Sequence, residues 1–270
     1  MKRKQSRLWS IIMAGGVATT LLFLLGFGLA VADIIAPASI PFTEKPESQA
    51  PIVEPERSEQ EINIVSLGDS LTRGTGDETG QGYVRRAVAQ LSKEQTKPVK
   101  LVNNLAINGQ RADQLAERLK QQSVGNTLKQ ANVIFLTIGG NDLFQSARDD
   151  QMSNNPLNAE SLKVKVEKGT TDAIRVLKQI REWNESALIV YVGLYNPFSD
   201  LKEMHQDGNE VVQQWNDTMF NEINKDANMI MIPTQDLFER NIGKYLSSDH
   251  FHPNGIGYEA IATRVVQSIK

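Results

Sequence analysis

The 270-residue sequence contains no cysteine. That absence excludes disulfides, thiolate metal sites, a cysteine nucleophile and a cysteine-linked lipid anchor. An excess of positive charge is also missing. The 29 basic and 32 acidic side chains leave a net charge of −3, so no overall basic field draws in nucleic acid. Histidine is scarce: His205, His250 and His252 are the only three. No internal repeat is visible. What remains is ordinary for a folded chain, with 40% apolar and 23% charged residues. The length suits one or two domains and a core that needs no staples.

The charge is unevenly spread. Residues 1–8 hold Lys2, Arg3, Lys4 and Arg7 and no acid, so the remainder carries −7. From Leu8 to Ala32 no residue is charged. About 20 apolar residues in a helix cross the hydrocarbon layer of a bilayer, so residues 9–32 are read as a transmembrane anchor or signal peptide. The basic flank 1–8 keeps its end in the cytoplasm and places the rest outside the cell membrane. Ala30-Val31-Ala32 also offers a small-x-small cleavage site, after which the protein is secreted. The length of the apolar run favours the uncleaved anchor. Residues 33–60 then read as a linker. They contain Pro37, Pro41, Pro46, Pro51 and Pro55, spaced too closely for helix or ladder, and they are rich in acids.

Residues 61–270 read as one α/β domain. Short apolar runs begin at Ile62, Leu101, Val133, Leu188 and Met229. The third, Val133 to Ile138, lacks polar alternation, as expected of a strand covered on both faces. Between the runs, apolar residues recur at helical spacing over 84–91, 112–119, 160–183, 211–223 and 256–269. Trp183 and Trp215 fall on such helical faces and read as packing residues. This alternation predicts a three-layer α/β/α sandwich around a mostly parallel five-stranded sheet. Ligands of such sheets gather at the carboxyl ends of the strands.

Four segments at or near those ends carry unusual residues. They are Gly68-Asp69-Ser70-Leu71, Asn104 to Gly109, Gly140-Asn141-Asp142 and Asp249-His250-Phe251-His252. Serine is a poor nucleophile unless a base takes its proton, and histidine with a carboxylate behind it is the natural base. Each residue also has a plainer role. Ser70 and Asn141 suit helix caps, Gly109 a turn, and Asp69 and Asp142 structural support. His250 competes with His252 as the base, and Asp249-His250-x-His252 has the makings of a chelate. Gly74, Gly76 and Gly80 resemble a phosphate cradle, but no Gly-Lys-Ser/Thr follows.

Taken together and in order, the four blocks resemble the SGNH (GDSL-type) hydrolases, across the whole of 61–270. Leu194-Tyr195-Asn196-Pro197-Phe198 extends the likeness to the membrane-attached or secreted branch of Gram-positive bacilli. The resemblance implies a flavodoxin-like SGNH fold and a serine esterase or lipase that needs no cofactor and no metal. It implies a triad of Ser70, Asp249 and His252, with Pro253 and the spacing favouring His252 over His250. It implies an oxyanion hole made by the Ser70 N–H, the Gly109 N–H and the Asn141 side-chain amide. The substrate would be a small acyl ester, a lipid or an acylated wall polysaccharide, the last requiring an O-acetylesterase. The polar segment 144–158 is expected to shape the acyl pocket or act as a lid, and Asn108 to help bind or position substrate. Two other classes compete. A non-catalytic binding domain should lack one of Ser70, Asn141 and His252, and a nucleotide-binding domain should show the missing cradle.

Overall fold

The computed structural model describes residue 13 and residues 15–28, 61–144 and 159–269. Residues 15–28 form a helix in a unit separate from the one that holds the domain. At 1.5 Å per residue those fourteen residues span about 21 Å. Among the described residues, no helix is long and apolar enough to cross a membrane. The rest of the expected anchor 9–32, the flank 1–8 and the linker 33–60 lie outside the described residues.

The domain runs β1 (Ile62–Gly68), α1 (Ser70–Arg73), α2 (Gly82–Glu94), β2 (Val99–Asn104), α3 (Ala112–Arg118), α4 (Gln122–Leu128), β3 (Val133–Thr137), α5 (Ala159–Trp183), β4 (Leu188–Val192), α6 (Lys202–Ile223), β5 (Met229–Ile232), α7 (Gln235–Glu239), α8 (Ile242–Tyr245) and α9 (Gly255–Ser268). The sheet order is β2-β1-β3-β4-β5, and all four pairings are parallel. Side chains of successive strand residues point to opposite faces, so each central strand serves two cores. Val65, Leu67, Ile134, Leu136, Ile189 and Tyr191 pack with α3, α4, α5 and α6. Ile64, Val133, Phe135, Val190 and Val192 pack on the other face with α2 and α9. Fully burying one such side chain contributes roughly 1.5–3 kcal/mol. This explains the unbroken apolar run of β3, every residue of which is buried.

Four of the five strands lie within a residue of their sequence-predicted limits. The exception is β2, expected over 101–106 and found at Val99–Asn104. Its pairing with β1 skips Val102, with Ile64 opposite Leu101 and Val65 opposite Asn103. The chain then leaves the sheet because the Ala106 N–H turns back to Asn104 Oδ1 at 3.1 Å. Trp215 and Trp183 are packing residues, as expected. Trp215 is fully buried and donates to Tyr191 Oη, which donates to the Ile138 carbonyl. Trp183 donates to the Leu119 carbonyl.

Candidate active site

The switch point of the sheet lies at the carboxyl ends of β1 and β3, and the sequence places Ser70 there. Asp69 caps the first turn of α1, its Oδ1 accepting from the Leu71 N–H at 3.0 Å. The same oxygen accepts from Thr137 Oγ1 at 2.7 Å. Thr137 has then spent its proton, so Thr72 Oγ1 donates to it at 2.7 Å and accepts from Tyr83 Oη at 2.9 Å. The result is a directed chain from Tyr83 to Asp69 that ties the serine turn to β3 and α2. Burial raises the Asp69 carboxyl above its ordinary value, against the hydrogen bonds from Thr137 and Leu71.

Ser70 is separated from His252 by 182 positions, yet Oγ lies 2.8 Å from Nε2. His252 Nδ1 lies 2.5 Å from Asp249 Oδ2. Burial alone would raise the Asp249 carboxyl. The His252 ring, the His252 and Phe251 N–H groups and Ser247 Oγ–H instead take it down to about 2. An ionised carboxylate only accepts, so Nδ1 carries the proton and Nε2 is left free to accept from Ser70. Ser70 and His252 are buried. The Asp249 side chain is about half exposed and lines a cleft of about 830 Å³ that Ser70 does not reach.

The loop that holds His252 is fixed by backbone contacts. The Ser247 N–H donates to the His252 carbonyl, and Leu246 bridges Pro253. Asn254 caps α9 with Oδ1 and donates to the Lys244 and Leu246 carbonyls. Tyr195 Oη donates to the Phe251 carbonyl at 2.7 Å, and its ring stacks on Phe238. Gly76, with φ +93°, passes beneath the histidine. A Cβ there would lie 2.6 Å from the Pro253 carbonyl oxygen and 2.9 Å from His252 Cβ. Gly76→Ala is therefore expected to lower kcat at least about 10-fold by moving His252 off Ser70. It should also cost about 2 kcal/mol, or roughly 5 °C in melting temperature. Steady-state kinetics and a thermal melt check both; wild-type values would show that His252 does not depend on this contact.

The loop leaving β2 supplies the facing wall. Within 105–112 nearly every N–H has an acceptor: Leu105 on the Ser66 carbonyl, Ile107 on the Gly68 carbonyl, Gln110 on the Ile107 carbonyl. Ala106, Arg111 and Ala112 use side-chain oxygens. Only the Asn108 and Gly109 N–H groups have no acceptor among the described residues. Gly109 holds φ +74°, which suits glycine, and the space where its Cβ would lie is empty. The Ser70 N–H, at the first position of α1, likewise has no intrahelical acceptor. Asn141 is buried, and its Nδ2 donates one proton to the Gln110 carbonyl at 3.1 Å, leaving a second available.

The other expected residues divide. Asn108 Oδ1 accepts from Thr75 Oγ1 at 3.1 Å. His250 is exposed at φ +53°, and no described hydrogen bond joins its ring to Ser70 or Asp249. The polar segment 145–158 lies outside the described residues. Gln110, Gly76 and Tyr195 belong to the site without having been singled out for it.

A family model of GDSL-like lipases and acylhydrolases matches residues 66–260. The chain belongs to this family. The uncharacterized protein YpmR of Bacillus subtilis is 36% identical over 79% of this chain and 84% of its own. The spore germination lipase LipC of Bacillus licheniformis is 28% identical over 76% and 94%. Both fit the Gram-positive bacilli branch. The lipase Lip_vut3 from a goat rumen metagenome shares the fold, with a TM-score of 0.68 at 24% identity over 77% of this chain and 97% of that one. This GDSL-like protein is accordingly a carboxylic ester hydrolase. Within the family frame, Tyr195 has a role: it anchors the loop that carries His252. The Gly-rich turn that resembled a phosphate cradle has one too, since Gly76 makes room for that histidine.

Proposed function

We propose that the protein hydrolyses acyl esters by a serine mechanism with a covalent acyl-enzyme. The observation that carries this reading is the unbroken line from Asp249 through His252 to Ser70 Oγ. Ser70 Oγ attacks the ester carbonyl carbon while His252 Nε2 takes its proton. The carbonyl oxygen becomes an oxyanion, received by the N–H groups of Ser70 and Gly109 and by the second N–H of Asn141. Asp249 steadies the imidazolium through Nδ1. The tetrahedral intermediate collapses, the alcohol leaves with the proton from Nε2, and Ser70 holds the acyl group. Water, giving its proton to His252, then releases the acid and restores the serine.

The same reading puts the catalytic domain outside the cell membrane, on a single-pass anchor at 9–32, or secreted if the chain is cut after Ala32. Its support is the +4 flank, the uncharged run that follows and the proline-rich stretch before the domain. The test of the activity is hydrolysis of p-nitrophenyl esters from acetyl to palmitoyl by the full chain. The expected result is turnover, and its length profile separates a small-acyl esterase from a lipase. A folded protein that turns over none of them contradicts the proposal.

A further inference from the structure

Asn141 and Asp142 are neighbours in sequence, yet each grips a different point of the segment that carries Gly109. Asn141 Nδ2 donates to the Gln110 carbonyl at 3.1 Å. Both carboxylate oxygens of Asp142 lie on the Ala112 N–H, at 3.2 and 3.1 Å. The two contacts make a clamp between the end of β3 and the loop leaving β2. We propose that Asp142 is a positioning residue of the oxyanion site. By holding the Ala112 N–H, it fixes the run 109–112 against Asn141, so that the Gly109 N–H and the second Asn141 N–H meet on one oxygen. This inference rests on the serine reading of the site and adds a residue to it.

Three features separate this role from ordinary helix capping. The entry to α3 already has its own device, since Arg111 donates its N–H to Gln114 Oε1 at 3.1 Å. Asp142 reaches in from another strand end, 30 positions away. Its placement is also costly: burial pushes the carboxyl up to about 7, even with the Ala112 N–H opposing the rise. Among the described residues no cation pairs directly with it. Arg111 pairs with Asp113 at 3.1 Å. Lys168 lines the same small cleft, and no ion pair to Asp142 is seen among the described residues. A buried carboxyl held by backbone N–H groups, that of Ala112 foremost, is a weak means of stabilising a fold. It is an effective means of fixing one segment against another.

The test is steady-state hydrolysis of the best p-nitrophenyl ester by the full chain, with Ser70→Ala as the blank. Asp142→Ala is expected to lower kcat by about 10–100-fold, with KM within about twofold, because the donors are misplaced only for the transition state. Asp142→Asn keeps an acceptor at Oδ1 and should retain kcat within about threefold. Ala112→Pro removes the same hydrogen bond from the donor side, at a first helical position where proline is tolerated. It should reproduce the kcat loss, and the double variant should be no slower than the slower single one. The outcome therefore does not depend on the alanine variant folding. Wild-type kcat in Asp142→Ala or in Ala112→Pro, a loss confined to KM, or an asparagine variant as slow as alanine overturns the proposal. Equal rates for wild type and Ser70→Ala overturn the serine reading itself and this inference with it.

Discussion

Ser70→Ala is expected to abolish ester hydrolysis, with kcat falling about 10⁴–10⁶-fold. The fold should survive. Ser70 Oγ has His252 Nε2 as its hydrogen-bond partner. The turn around it is held by other atoms, namely Asp69 on the Leu71 N–H and Thr137 on Asp69. The melting temperature should therefore stay within a few degrees of wild type. A loss this large follows from the proposed mechanism, in which alanine removes the group that forms the acyl-enzyme and leaves the oxyanion donors. Hydrolysis that persists at more than a hundredth of the wild-type rate would mean that the ester is cleaved elsewhere or by direct attack of water. Activity and a circular-dichroism melt on the same preparation decide between these.

Asn141→Ala is expected to lower kcat by about 10²–10³, with KM little changed. The reason lies in the amide's two protons. One is spent on the Gln110 carbonyl, which fixes the rotamer. In the proposed mechanism the other meets the oxyanion together with the Gly109 N–H, and charge develops there only in the transition state. Deleting the amide also leaves the Gln110 carbonyl without that donor, so a small loss of stability should accompany the kinetic effect. An effect confined to KM would make Asn141 a ground-state binding residue. The contrast with Asp142→Asn is informative, because that change leaves the Asn141 bond to the Gln110 carbonyl in place.

Much of this architecture was legible in the sequence for a physical reason. Strands of a parallel sheet covered on both faces are unbroken apolar runs, and β3, β4 and β5 stand out from their polar surroundings for that reason. The helix α4 did not stand out. Its seven residues, Gln122 to Leu128, are mostly polar or small, and its glycine packs against the Trp183 indole, a contact no local pattern announces. Half of the site is similarly local. Asp249 and His252 sit three apart, and their hydrogen bond is a property of one turn. The link to Ser70 spans 182 positions and emerged from the order of the motifs rather than from any one of them.

Two of the residues that escaped the sequence reading share a feature. Gln110 acts through its main-chain carbonyl, and Gly76 acts by having no side chain. Neither role requires a chemically distinctive side chain, so composition and motif spacing give no sign of them. Tyr195 does act through its side chain, but its acceptor, the Phe251 carbonyl, lies 56 positions away and is equally silent in the sequence. Asp142 marks the boundary case. Its identity was visible beside Asn141, but its partner, the Ala112 N–H, was not.

The most direct measurement of the central claim is labelling of the full chain with a fluorophosphonate, followed by peptide mapping. Ser70, activated by His252 and Asp249, should carry a single phosphonate adduct, formed within minutes and absent from Ser70→Ala. An adduct on another residue, or none on a preparation that hydrolyses esters, would contradict the account.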